Sequence, residues 1–115
     1  MEQLNRIELR GNIGSIRLQK ISGVNVANFT LATNLAYKDK DGDAVIETTW
    51  HNVSAWEGKE ITCLENLGRG DKVHLVGRIR NQRYVDSNGS DRCATEVVAL
   101  RITKIDDNEV LTYQM

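Results

Sequence analysis

At 115 residues, 40% of them hydrophobic, the chain suffices for one domain around one core, and nothing in it suggests a second. A net charge of −1 excludes a diffusely basic surface, so any nucleic-acid affinity must come from local clustering of Lys and Arg. No apolar run approaches the roughly 18 residues of a membrane-spanning helix, and Met1 to Arg6 lacks the apolar stretch of a signal peptide, so a cytoplasmic protein is expected.

Leu4 to Ile16 alternates, with Ile7, Leu9, Gly11 and Ile13 on one face and Arg6, Glu8, Arg10 and Asn12 on the other. Glycines inside such a strand predict a bulge or bend, the device by which small barrels turn a corner; Gly11 and Gly14 stand there. Ser22-Gly23 marks a turn. Val24 to Ala36 reads as a second strand, with Ala27, Phe29, Leu31, Thr33 and Leu35 in register. Tyr37 to Asp43 is a charged hairpin tip whose Asp-Gly pair supplies the positive φ of a tight turn. Its three aspartates resemble a calcium loop only faintly: Gly42 comes too early, and Trp50 stands at the twelfth position, where an acidic ligand is needed. No metal is expected there.

Ala44 to Trp56 is the third strand and the most informative stretch. Thr48, Trp50, Asn52, Ser54 and Trp56 share one face, and Thr49, His51, Val53 and Ala55 share the other. Both tryptophans of the chain thus stand among small polar residues. A core strand would surround them with Val, Ile and Leu, whereas flat rings between hydrogen-bonding groups make a platform for nucleobases. The other reading, with Trp50 in the core and Trp56 at its edge, stays open.

From Glu57 to Leu67 the period changes. Ile61, Leu64 and Leu67 recur at three-residue spacing, which predicts a short amphipathic α-helix with Cys63 on its flank, closed by Gly68 and Gly70. Arg69-Gly70-Asp71 spells an adhesion tripeptide, but between a helix and a strand of a cytoplasmic chain it reads as a turn. Lys72 to Tyr84 is the fourth strand, with Val73, Leu75, Gly77 and Ile79 on one side and His74, Val76, Arg78, Arg80, Gln82 and Tyr84 on the other. Asn88-Gly89 is a strong hairpin signal, and Arg92 to Ile105 is the fifth strand, its Val97, Ala99 and Thr103 opposing Val98, Leu100 and Ile102. Asp106 to Met115 is a short, mildly acidic tail outside the domain of residues 1–105. The absence of proline fits long, uninterrupted ladders. Cys63 and Cys93, on different elements, are expected as buried or half-buried thiols rather than a disulfide.

Three strands, a short α-helix, then two more strands is the order of an all-β, five-stranded Greek-key barrel, the oligonucleotide/oligosaccharide-binding (OB) fold. In the fourth strand Lys72, Arg78, Arg80 and Arg83 fall within a run free of Asp and Glu. Arg78, Arg80 and Tyr84 share a face there. Cations tracking phosphates, interleaved with stacking aromatics, are the two components of sequence-tolerant single-strand binding. The competing reading is a solvated face with cross-strand ion pairs, for instance to Glu96. Catalysis has little support: His51 and His74 stand singly in mid-strand, Cys63 has no activating partner, and neither a phosphate loop nor a metal-ligand cluster is present. No cofactor is expected.

Several blocks, in order, resemble the bacterial single-stranded DNA-binding proteins from about Asn5 to Leu100. They are Asn5-Arg6-Ile7 with Gly11-Asn12-Ile13-Gly14; Val26 to Thr33; Thr49-Trp50-His51 with Gly58-Lys59; Gly77-Arg78-Ile79-Arg80; and Asp91-Arg92 with Thr95-Glu96-Val97. The resemblance implies four DNA-stacking aromatics. Trp50 matches in kind, Tyr37 and Tyr84 stand where the family commonly has tryptophan, and Trp56 stands where it commonly has phenylalanine. It also implies a homotetramer, with His51 at a subunit interface. Phosphate contacts are expected from Arg6, Arg10, Lys59, Lys72, Arg78, Arg80 and Arg92. The expected function is sequence-independent binding and protection of single-stranded DNA in replication, recombination and repair, without chemistry on the DNA. Family members that organise replication usually continue into a linker with an acidic, Phe-terminated tip that recruits partner proteins. This sequence ends at Tyr113-Gln114-Met115, which puts such recruitment in doubt. A primosome-type replication accessory and a protein-interaction module gripping a polypeptide with Trp50 and Trp56 are the alternatives.

Overall fold

The computed structural model describes residues 2–62 and 64–105, so Cys63 and the tail from Asp106 to Met115 lie outside the described residues. Five strands form: β1 (Ile7–Ile21), β2 (Val24–Lys38), β3 (Ala44–Trp56), β4 (Lys72–Val85) and β5 (Asp91–Lys104). They close into a barrel in the order β1-β2-β3-β5-β4, with β4 returning to β1. All neighbours are antiparallel except β3 and β5, which meet in parallel only at Val53–Val97 and Ser54–Val98. This is the expected OB-fold.

Between β3 and β4 the structure departs from expectation. Instead of an amphipathic α-helix there is one 3-10 turn, Leu64–Asn66. The three-residue spacing of Ile61, Leu64 and Leu67 suits a 3-10 repeat as well as an α-helical face, and a stretch this short lacks the length to sustain an α-helix without packing. Ile61 and Leu64 are nonetheless buried and plug the barrel, as their apolar character demands.

The inward alternation of the strands builds the core: Ile13, Ala27, Phe29, Leu31, Val53, Ala55, Val73, Leu75, Val97 and Ala99 join Ile61 and Leu64. Two bulges shift the alternation. Gly14 and Ser15 together face Thr30, so that Ile13 and Ile16 both point inward. In β5 the ladder jumps from Arg101 opposite Val76 to Ala99 opposite Gly77, leaving Leu100 unpaired. The second bulge corrects the reading of β5: Ile102, not Thr103, joins Val97 and Ala99 on the core side. At Gly11, β1 passes from β4 to β2, and a Cβ there would stand 2.1 Å from the carbonyl oxygen of Ala32.

Two ribbons continue beyond the barrel. The β2–β3 ladder runs unbroken from Val26–Trp56 to Lys38–Ala44, and the β4–β5 ladder from Gly77–Ala99 to Val85–Asp91. Both tips close as their Asp-Gly and Asn-Gly pairs require, with φ of +82° at Gly42 and +79° at Gly89. Cys93 lies on the second ribbon and is exposed, contrary to the buried or half-buried thiol expected; that ribbon has no second layer to cover it.

Candidate nucleic-acid interface

The outward side chains of β3 follow from its parity. Val53 and Ala55 enter the core, so Thr48, Trp50, Asn52 and Trp56 face solvent, whereas Ser54, expected on the same face, is buried where β3 meets β5. Trp50 is 60% exposed and Trp56 49%. The alternative that buries Trp50 is thereby set aside. Trp50 is held by what lies under it: a Cβ built on Gly14 would come within 2.5 Å of its Cζ3 and 2.9 Å of its Cη2. The bulge in β1 thus forms a bed for the indole edge, which only a glycine leaves open.

Because β3 and β5 run side by side with Ser54 opposite Val98, the platform continues onto the β4–β5 ribbon. There Arg78 pairs with Val98, Arg80 with Glu96 and Tyr84 with Arg92, all on the outward face. Tyr84 is 50% exposed. Rings and guanidiniums therefore share one continuous exterior face. Tyr37 does not join it. Opposite Val45 in an unshifted ladder, it has the parity of Phe29 and Leu31, so it stands exposed on the other side of its ribbon from Trp50.

The cations differ in how free they are. The Arg80 guanidinium bonds the Glu96 carboxylate, and Arg92 Nε donates to Asp86 Oδ2 at 2.8 Å. The ion pair to Glu96, raised from the sequence as the competing reading, is therefore present. Arg92 and two backbone N–H groups, of Ser90 and Asn88, hold the Asp86 carboxyl below its usual pKa. Arg78 has no carboxylate partner among the described residues. Arg10 and Lys72 lie on the β1–β4 seam, opposite His74 and Asn12, and Arg6 just precedes it. Glu8, bonded to His74 Nε2 at 2.7 Å, is held below its usual pKa chiefly by that bond, with Arg6 and Arg10 adding smaller electrostatic contributions. Lys59 is exposed on the loop after β3. His51 bonds Thr33 Oγ1 through Nε2 at 3.0 Å, and partial burial pushes its pKa down.

Sequence reasoning missed a shallow groove of about 330 Å³ whose polar lining is Ser15, Arg17, Asn28, Thr30, Asn52 and Glu96, with Phe29 and Val53 beneath. Arg17 was hidden by the bulge, because the shift at Gly14-Ser15 turns odd-numbered residues of β1 outward after it. Asn28 and Thr30 were legible in principle, as the polar alternates of the Ala27-Phe29-Leu31 core face. Asp39, Asp41 and Asp43 gather their carboxylates at the first tip. There Asp39 Oδ1 accepts the N–H groups of Asp41 and Asp43, which accounts for its position without an ion.

Comparison with known proteins agrees with this geometry. A model of the single-strand binding protein family matches residues 4–105. Single-stranded DNA-binding protein 1 of Chlorobaculum tepidum is 36% identical over 98 residues, covering 83% of this chain and 60% of that protein. The single-stranded DNA-binding protein of Neisseria meningitidis is 32% identical over 99 residues, covering 84% of this chain and 56% of that one. The chain thus spans 56–60% of the length of these relatives. Among solved structures, Plasmodium falciparum SSB in complex with ssDNA superposes with a TM-score of 0.79 at 24% identity, over 92% of this chain and 98% of that one. The small single-stranded DNA-binding protein of Streptomyces coelicolor gives 0.68 at 21%, over 91% of this chain and 96% of that one. At those identities the structures establish a shared fold. The family match and the identities to the two relatives go further, and the chain belongs to the single-strand binding protein family.

Proposed function

We propose that the protein binds single-stranded DNA without reading its sequence, as the family and the names of its relatives suggest, and that it performs no chemistry on the strand. The observation that carries this reading is the single exterior face on which Trp50, Trp56 and Tyr84 stand exposed beside Arg78 and Arg80. A base can stack on each ring, and phosphates can pass along the guanidiniums. Tyr37 would stack on a strand that rounds the edge of the β2–β3 ribbon. Arg6, Arg10, Lys59, Lys72 and Arg92 would take phosphates away from the central track. Replication, recombination and repair are the settings in which such coating serves, and residues 1–105 would form the DNA-binding domain. We also infer a homotetramer with His51 at a subunit contact, supported by the family resemblance; mass measurement in solution tests it. Among the described residues no helix is long and apolar enough to cross a membrane.

The test of binding is a tryptophan-fluorescence titration with oligo-dT at two salt concentrations. Quenching is expected, with affinity that falls as salt rises. Unchanged fluorescence at saturating oligonucleotide and low salt would refute the reading.

A further inference from the structure

The β1–β4 ladder runs from Asn12–Lys72 to Ile7–Gly77, and its register carried on by two residues sets Asn5 opposite Ile79. A rung is made there, but by a side chain. Ile79 N–H donates to Asn5 Oδ1 at 2.9 Å, and Asn5 Nδ2 donates to the Ile79 carbonyl at 2.7 Å. A carboxamide carries the donor and the acceptor of a peptide group, so Asn5 supplies both bonds of a strand residue although it lies outside β1. Beyond Ile79, among the described residues, only β5 pairs with β4.

The place of this rung matters because it follows a bend. The β4–β5 register shifts between Val76 and Gly77, where Leu100 bulges, and a Cβ on Gly77 would stand 2.4 Å from the Val98 carbonyl oxygen. A bulge bends and twists the ladder that carries it. The β4–β5 ribbon thus leaves the barrel through a bent joint, and Asn5 grips β4 two residues past that joint. Ile79 lies between Arg78 and Arg80, and Tyr84 stands further along the same strand. At about 3.4 Å per residue Tyr84 is roughly 17 Å from Ile79, so a tilt of about 10° at the joint displaces its ring by roughly 3 Å.

Resting on the single-strand reading above, we propose that Asn5 is a positioning residue for DNA binding. Its side-chain amide braces β4 at Ile79 and sets the angle at which the ribbon presents Arg78, Arg80 and Tyr84 in line with Trp50 and Trp56. Asn5 itself touches neither base nor phosphate in this role. Both of its bonds are exposed to water and add modestly to stability, so the pose of the ribbon depends on them more than folding does.

The test titrates the full chain with oligo-dT at low salt, well below the melting temperature. Asn5→Ala should weaken binding on the order of fivefold, part of the effect of losing one stacked base. Asn5→Leu, close to asparagine in shape but without either bond, should do the same, and it carries the comparison if the alanine variant folds poorly. Tyr84→Ala should cost less affinity in the Asn5→Ala protein than in the parent. Trp50→Ala should cost the same in both, because Trp50 stands on the other ribbon. A merely structural asparagine would lower the melting temperature and leave affinity and the Tyr84 coupling unmoved, and that result overturns the brace. Full additivity with Tyr84→Ala overturns it as well. A parent that does not bind oligo-dT sinks the single-strand reading itself, and that first titration tells the two failures apart.

Discussion

Glu96 decides what Arg80 can do. A guanidinium already bonded to a carboxylate must exchange that partner for a phosphate, so it adds less to affinity and to salt dependence than a free one such as Arg78. Glu96→Gln should therefore tighten binding to oligo-dT and steepen the salt slope by up to about 0.7, with stability changed by no more than about 1 kcal/mol, since surface pairs contribute little. A titration at several salt concentrations, beside a thermal melt, checks both. At the rings, Trp50→Ala and Tyr84→Ala should each cost about 1–3 kcal/mol of binding, the range known for base–aromatic stacking. Gly14→Ala pushes a methyl group against Cζ3 and Cη2 of Trp50 and should impair binding by displacing the ring. In a Trp50→Phe protein, which lacks those atoms, the same glycine substitution should lose most of its effect on affinity. A double-mutant cycle measures that coupling, and full additivity would contradict the bed.

At the scale of elements, the two hairpin tips are one device used twice. In Asp39-Lys40-Asp41-Gly42-Asp43 and in Asp86-Ser87-Asn88-Gly89-Ser90 the leading aspartate Oδ1 accepts two backbone N–H groups, at +2 and +4. Its own N–H bonds the carbonyl of the last residue, and its carbonyl accepts the glycine N–H. Arg92 reinforces only the second tip, where Tyr84 stands. Because the folded-state pKa of Asp86 is depressed, its stabilising effect is present above the unfolded aspartate value and is lost as pH falls through the lower folded one. Asp86→Ala should thus lower the melting temperature at neutral pH and differ less from the parent in strong acid, as paired thermal melts would show. If the tip holds Tyr84 in place, the same variant should also bind oligo-dT more weakly.

For the molecule as a whole, a net charge of −1 supplies no general positive field, so attraction must come from local groups of cations. Affinity should accordingly depend on salt through a few contacts rather than through a general field. Stability should also respond to pH through His51. Partial burial depresses its folded-state pKa, so the unfolded chain takes up the proton first. Stability is then full above the unfolded histidine value and declines as pH falls through it toward the lower folded one. Thermal melts from about pH 8 to about pH 5 should show this decline, and His51→Gln should flatten it.

Period-two alternation of apolar residues is a local property, and from it came five strands and most of their inward faces; the Asp-Gly and Asn-Gly pairs added both tips, and the order of the elements added the OB-fold. The exposure of Trp50 and Trp56 was legible for the same reason: their strand neighbours are too polar to line a core. What lay beyond the sequence came from register. Two bulges shift side-chain parity by one, sending Arg17 outward and Ile102 inward; Gly14 marked the first without showing which residues it would turn, and nothing local marked the second at Leu100. The short apolar repeat before β4 settled as a 3-10 turn because it lacks the length to sustain an α-helix, while its Ile61, Leu64 and Leu67 still pack against the core. The Arg80 pair with Glu96 was offered by the β4–β5 hairpin, but only the assembled sheet decided that Gly14 lies beneath Trp50 and that Arg69 comes to the rim of a hollow beside that ring. Those contacts join residues far apart in the chain, and only tertiary packing selects them.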